Sequence, residues 1–479
     1  MPTFHDIRIA SGLTNSLSRG SFAEFMERET SYTWDGTPEG KITLMQAYEA
    51  KMQSEEGKEQ REGSKYIFEV ESRLLPILAE MEVKGVVLDT VKLAEIGERI
   101  RAGIKACETE VYEVTGEFFN LNSPKQVAEI LFGKLGIKPT KKNKTGYSVD
   151  TEVLEEIAKE YDVARLIIEH RTLSKLQSTY VESLLKVADK KSHRVHTTYG
   201  QLGAATWRMS SNDPNLQNIP TGIGYASEIK SCFIPSEGNI FLVADYSQIE
   251  IRVLAWLSQD RSLLDAFEQG EDIHARTAKF LFPDVSEISG EQRRIAKTVN
   301  FGVIYGITGF GLAKTLGAPP WEATKYIEAF YAKYPGVKNY YESILEDGRV
   351  LGYVETAFGR RRYIPGLNDA NKMAKSIAER EAINMPIQGT AADMLKIAML
   401  DIDAKVREKK LRGSMILQVH DELVFDIPKD EVETWEAIVR ESMEEILARH
   451  APKHGMLGDR MPPIRVDMYT GENWVAAKG

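Results

Sequence analysis

The stretch SMILQVHDELVFDIP, Ser414–Pro428, consists of two runs of β-branched and aromatic residues flanking His420, Asp421 and Glu422. It reads as a hairpin with acids at its turn. A second apolar run, Ile240–Ala244, ends at Asp245 and reads as a buried strand presenting a carboxylate. Asp245 and Asp421 are far apart in sequence, yet each ends a hydrophobic strand, so one sheet could carry both. Two unpaired carboxylates gathered in a core repel, and one tends to protonate; divalent cations remove that conflict. Mg²⁺ prefers one or two carboxylates plus substrate phosphates. Two such ions about 3.5–4 Å apart would stabilise both oxygens of an in-line phosphoryl transfer. The competing reading is two strand-end acids in separate turns.

Just beyond Asp245, Ser247 and Glu250 form an S-x-x-E pattern that reads as a capping box for the helix carrying Ile251, Leu254 and Trp256. Alternatively, Glu250 sits beside the metal pocket, where its carboxylate would clash with a sugar 2′-hydroxyl. In QRRIAKTVNFGVIYGITGFG, Gln292–Gly311, the residues Arg293, Lys297, Phe301 and Tyr305 recur at steps of four and share one helix face. Two cations followed by a flat ring and a phenol suit a nucleoside triphosphate. Gly302 and Gly306, expected inside that helix at about 1 kcal/mol each relative to Ala, suggest close approach by another group. A third, amide-rich group comprises TWRMSSNDPNLQNIP, Thr206–Pro220, and the run Arg380, Asn384, Gln388. Such side chains contact nucleic-acid backbones and base edges well, or form a turn network and a polar helix face. His450 and His454 read as a surface pair.

The 479 residues predict about three compact units or one large multi-lobed enzyme. With 42% hydrophobic and 28% charged residues the chain is neither disordered nor fibrous. A net charge of −10 excludes a uniformly basic wrapping protein, although a local basic stripe would suffice to bind nucleic acid. Cys107 and Cys232 cannot make a disulfide framework or a four-cysteine zinc site. No signal peptide or membrane span is read, so a cytoplasmic location is expected. Helical periodicity runs from Tyr66 and then over about 92–118, 124–135, 150–160 and 162–187. Within this lobe Lys138, Lys141, Lys142 and Lys144 crowd beside Gly146, as a solvated loop or a phosphate-backbone contact. Long helical patterns return over about 262–400.

Taken in order, DYSQIE, RRIAKTVNFGVIYG, INMPIQGTAAD and QVHDELVF closely resemble the polymerase region of family A DNA polymerases, the DNA polymerase I type. The resemblance extends from about Tyr66 to the GENW at Gly471–Trp474. It implies an α+β right hand with an antiparallel-sheet palm, helical fingers and a helical thumb. The divisions expected are an N-terminal appendage at 1–66, a thumb with the lead-in to the palm at 67–190, palm at 191–261 and 380–479, and fingers at 262–379. By the same resemblance Asp245 and Asp421, with the Tyr246 carbonyl, hold two Mg²⁺ ions, for which Mn²⁺ could substitute. Arg293, Lys297, Phe301 and Tyr305 receive the deoxynucleoside triphosphate, with His274 and Gln248 in the same pocket. Lys297 is also the proton donor to pyrophosphate, and Glu250 the steric gate against ribose. Arg208, Asn215, Gln217, Asn218, Arg380, Asn384, Gln388 and His420 contact primer and template DNA, and Glu422 lies near the primer end.

The chain departs from the family at three places. Trp207 stands where Gly is usual, placing a bulky side chain beside the minor-groove contact. Phe301, rather than Tyr, implies discrimination against nucleotides lacking the 3′-hydroxyl. About 66 N-terminal residues are too few for an exonuclease domain, and ITLMQAYEAKM at Ile42 resembles the last helix of one. The expectation is a DNA-directed DNA polymerase of replication or repair, monomeric and without its own proofreading. It would act in a bacterial nucleoid or a virus-infected cell, with a separate exonuclease or processivity partner left open. An RNA-templated polymerase and a non-catalytic DNA-binding scaffold are the alternatives.

Overall fold

The computed structural model describes residues 55–143, 146–201, 204–451, 458 and 460–478. Its centre is a four-stranded antiparallel sheet in the order Ser414–Val419, Glu422–Pro428, Asn239–Tyr246, Val466–Gly471. Both faces of the first three strands are buried, and the two-residue strand period divides their side chains between two cores. Leu242, Ala244, Leu423 and Phe425 join a core with Met394, Leu395, Trp435 and Val439. Phe241, Val243, Leu417 and Val424 join another with Val86, Leu88, Phe233 and Trp474. The apolar runs are continuous for this reason. The expected hairpin is present, with a register irregularity between Met415 and Leu417.

Before the sheet, the helix Thr90–Thr115 packs on the helical run Asp162–Val187. Farther along, Val111, Leu121, Leu131, Leu154 and Ile167 form a small core of their own. The lysine-rich segment between them holds a short ladder, Lys142–Asn143 against Gly146–Tyr147. Between strand Asn239–Tyr246 and the hairpin, successive helices occupy Arg261–Glu268, Ile273–Leu281, Gly290–Ile304, Gly309–Leu316, Pro320–Lys333 and Pro335–Leu351. Helix Lys372–Lys409 then returns the chain to the sheet. The expected divisions after 66 and 379 each fall inside a helix, Glu55–Lys84 and Lys372–Lys409 respectively. The appendage helix read at Ile42 lies outside the described residues. Among the described residues no helix is long and apolar enough to cross a membrane, and Cys107 and Cys232 are buried free thiols.

Helix Glu55–Lys84 is joined to helix Lys372–Lys409 by a buried ion cluster. Arg360 binds Glu71 at 2.6 Å and Asp393 at 2.7 Å, while Lys396 binds Glu71 at 2.5 Å. Thr356 and Gln201 donate to the remaining carboxylate oxygens at 2.8 and 2.7 Å. None of the four charged side chains is more than 1% exposed. Removing one member of such a set strands its partners, which costs more than the intact set contributes. Glu71→Ala is therefore expected to destabilise the protein by about 3–5 kcal/mol, seen as a lowered melting temperature. A melt within error of the unsubstituted chain would show that Arg360 and Lys396 find other partners.

Candidate functional site

The hairpin turn is two residues long, His420 and Asp421, between paired Val419 and Glu422. His420 takes the left-handed φ of 54° that short hairpin turns require. Glu422 is paired directly with Asp245 across the sheet, and Tyr246 donates its backbone N–H to the Asp421 carbonyl at 3.2 Å. Asp245, Asp421 and Glu422 therefore converge at one strand end. They line a cavity of about 460 Å³ with Gln217, Asn218 and His420. Burial, reinforced by Glu422 and Asp421, pushes the Asp245 carboxyl up to about 6 against the opposing effect of Lys478. Burial also raises Asp421, with Arg208 and His420 opposing.

Glu250 does not cap the following helix. That helix, Ile249–Ser258, starts after Gln248 at a left-handed φ of 53°, with no side-chain cap. The chain turns too sharply there for Ser247 to reach the third helical N–H. Glu250, only 5% exposed, instead accepts from Arg208 at 2.5 Å and from the Tyr305 hydroxyl at 2.6 Å. Burial raises its carboxyl despite Arg208 and Tyr305. Arg208 also reaches Asp421 at 3.4 Å, and so links Glu250 to the strand-end acids.

Helix Gly290–Ile304 begins with a capping box between Ser289 and Gln292. Arg293 is exposed and bound to Asp272 at 2.6 Å, the residue that caps helix Ile273–Leu281. Lys297 is exposed one turn on. Phe301 lies between His274, 5.7 Å away, and Tyr305, 6.5 Å away in a stacked arrangement. Asn300 accepts from Thr277 through its oxygen, so its amide donates to His274 Nδ1 at 2.8 Å and leaves the proton on Nε2. Burial lowers His274 to about 4, so it is a neutral donor at pH 7. The helix ends earlier than expected. Tyr305 is its C-cap and Gly306 takes a left-handed φ of 63°, with Gly306 and Ile307 donating back to Val303 and Gly302. The close approach expected at Gly302 is real, since a Cβ there would lie 2.8 Å from Ile307 Cγ2.

Of the amide-rich group, Gln217 donates to Gln418 at 2.9 Å, Asn215 caps the turn Leu216–Asn218, and Asn218 is exposed beside the acids. Arg380, Asn384 and Gln388 follow one face of helix Lys372–Lys409; Arg380 is exposed, and Gln388 is buried. Trp207 does not face this site. At a left-handed φ of 63° and 3% exposure, its ring lies under Arg360 in a core with Val354, Ile364, Leu367 and Met385. His450 binds Asp401 at 2.9 Å, and His454 lies outside the described residues.

Three partners were not anticipated from the sequence: Asp272 for Arg293, and Trp474 and Lys478 for Glu422. Among the described residues no group of three or more His, Cys, Asp or Glu is arranged to hold a metal. The donor chemistry of Asp245 and Asp421 nevertheless fits Mg²⁺, which takes one or two carboxylates and leaves its other positions to water and phosphate.

Residues 90–476 match the model of DNA polymerase family A. The chain is 45% identical over 412 residues to DNA polymerase I of Bacillus subtilis (strain 168), covering 86% of this chain and 46% of that protein. It is 43% identical over 420 residues to DNA polymerase I of Geobacillus stearothermophilus, covering 87% and 47%. The chain thus spans about half the length of these curated relatives. Among solved structures, the POL domain of Pol1 from M. smegmatis, in complex with DNA primer-template and dNTP, superposes with a TM-score of 0.89. It shares 32% identity, covering 99% of this chain and 82% of that one.

The raised Asp245 carboxyl has a consequence for stability. With a folded value of about 6 against an ordinary 3.8, the native protein holds the extra proton between those limits, so stability falls as pH rises through them. Asp245→Asn should therefore stabilise the protein at pH 7–8 by about 1 kcal/mol after allowance for the exposed part of the side chain, seen as a raised melting temperature. The gain should vanish toward pH 4. A gain of equal size at both pH values would remove the charge explanation.

Proposed function

The chain belongs to DNA polymerase family A, and we propose that it extends the 3′-hydroxyl of a primer with deoxynucleoside triphosphates under the direction of a DNA template. The observation that carries this reading is the strand-end pair Asp245 and Asp421, locked together by the register, with the Arg293–Tyr305 series ending on Glu250 beside it. The relative from M. smegmatis, in complex with primer-template and dNTP, supports DNA and nucleotide as the ligands.

In this reading Asp245 and Asp421, with the Tyr246 carbonyl, hold two Mg²⁺ ions, or Mn²⁺. Bound there, the ions would neutralise charge on the α-phosphate and pyrophosphate and lower the pKa of the primer hydroxyl. The primer hydroxyl loses its proton to solvent as its oxygen bonds to the α-phosphorus, the bond to pyrophosphate breaks, and Lys297 gives its proton to the departing group and regains one from water. Arg293 exchanges Asp272 for a triphosphate oxygen, and His274 donates from Nε2. Phe301 and Tyr305 flank the base and sugar, with Gln248 in the same pocket. Glu250, held from both sides, stands where a 2′-hydroxyl would come. Arg208, Asn215, Gln217, Asn218, Arg380, Asn384, Gln388 and His420 position primer and template, with Glu422 at the primer end. The regions 67–190, 262–379 and 191–261 with 380–479 serve as thumb, fingers and palm. The chain acts as a cytoplasmic monomer.

Primer extension with Mg²⁺ tests the reading. Asp421→Ala should lose roughly 10³-fold or more in rate with an unchanged circular dichroism spectrum. Retention of more than a few per cent would remove the metal assignment. Arg293→Ala should raise KM for the nucleotide, and Glu250→Ala should admit ribonucleotides; an unaltered ribose preference would relocate the gate.

A further inference from the structure

Glu422 is the third carboxylate at the strand ends, and both of its oxygens are already engaged. Oε1 accepts from the Trp474 indole N–H at 2.8 Å, and Oε2 binds the Lys478 ammonium. The same ammonium lies 3.6 Å from Asp245 Oδ2. Glu422 is 2% exposed, so its charge depends on these partners rather than on water. Lys478 reaches this position through the sheet. Strand Val466–Gly471 pairs with Asn239–Tyr246, and the turn Ala476–Lys478 that follows is anchored by the fully buried Ala477. Two backbone bonds fix it, Ala477 to Asn473 at 3.1 Å and Lys478 to Val475 at 3.0 Å. The other nearby ammonium, Lys230, sits over the Trp474 ring at 4.4 Å.

We propose that Lys478 is a positioning residue of the cation site, whose ammonium holds Glu422 out of the metal coordination shell and leaves divalent cations to Asp245 and Asp421. Three unmatched carboxylates would make a tight trap for a divalent ion and would fill coordination positions that a triphosphate needs. A fixed positive charge a few ångströms away weakens that trap. It also matches the carboxylate least able to rely on solvent. The cation site then depends on nucleotide phosphates to complete it.

This inference rests on the cation-site reading above, and one set of titrations separates the two. Binding of Mn²⁺ to the protein without DNA or nucleotide would be followed by electron paramagnetic resonance. Lys478→Met should bind Mn²⁺ more tightly, on the order of tenfold or more, and Lys478→Arg should match the unsubstituted chain. Lys478→Met with Glu422→Gln should return the affinity to its starting value, because Glu422 is the ligand released. Unchanged affinity in Lys478→Met, or a gain that survives Glu422→Gln, overturns the role of Lys478 while leaving the cation site standing. Mn²⁺ binding indifferent to Asp245→Asn would overturn the cation-site reading and this inference together.

Discussion

The register that places Glu422 opposite Asp245 is the constraint from which the rest of the site follows. A slip of one residue would send every side chain of a strand to the opposite face of the sheet. Here both faces are buried, so a slip would empty two cores at once, moving Leu242 and Ala244 off one and Phe241 and Val243 off the other. Burial of that many large side chains, about 1.5–3 kcal/mol each, holds the register firmly enough to gather three carboxylates against their repulsion. The Tyr246 N–H on the Asp421 carbonyl adds a direct tie between the two strand ends. The apolar runs that first suggested strands are thus also what fixes the position of the acids.

Asp245, Asp421, Glu422, Glu250 and Arg293 each have a partner brought from a different segment, and the pairs differ in how readily they can be exchanged. Arg293 and Asp272 are both well exposed, at 49% and 39%. An ion pair of that kind contributes about 0–1 kcal/mol, so replacing Asp272 by a phosphate costs little. Glu250 is the opposite case. Its buried carboxylate depends on Arg208 and Tyr305, and losing either would leave charge without solvent. An exchangeable pair at one end of the Arg293–Tyr305 series and a fixed one at the other suit the proposed role of this helix, binding triphosphates with discrimination at the 2′ position.

What the sequence made legible was whatever periodicity encodes. The continuous apolar runs and the acids at their ends gave the sheet, and the step of four from Arg293 to Tyr305 gave the helix. The failures occurred where local pattern and tertiary contact compete. Ser247-x-x-Glu250 matches a capping box, yet the left-handed turn at Gln248 gives Glu250 to Arg208 and Tyr305. Gly306 reads as part of a helix because the apolar pattern continues through it, whereas it supplies the left-handed residue that stops the helix. The ion cluster at Glu71 was visible in principle, since Glu71 lies four residues from Ile67 and three from Leu74 on the buried stripe. Its partners could not be read, because Arg360, Asp393 and Lys396 come from remote segments. Lys478 carried no signal at all; only the pairing of strand Val466–Gly471 brings it to Glu422.

Trp207 shows how a side chain that looks obstructive in sequence can be accommodated by its backbone. At a left-handed φ the Cα–Cβ bond points away from the direction an extended residue would take, and the indole enters a core rather than the site. A bulky residue pays about 1–2 kcal/mol for that conformation, and its buried indole N–H, without a hydrogen-bond partner, costs about 1–3 kcal/mol more. Burial of a large aromatic and the Arg360 guanidinium at 5.2 Å offset these costs. The consequence of this placement is positional. Trp207 fastens one side of the turn to the core that contains Arg360, and Arg208 fastens the other to Glu250 and Asp421. The buried ion cluster and the strand-end acids are joined through two consecutive residues, and the arginine between them has little freedom to leave the carboxylates it serves.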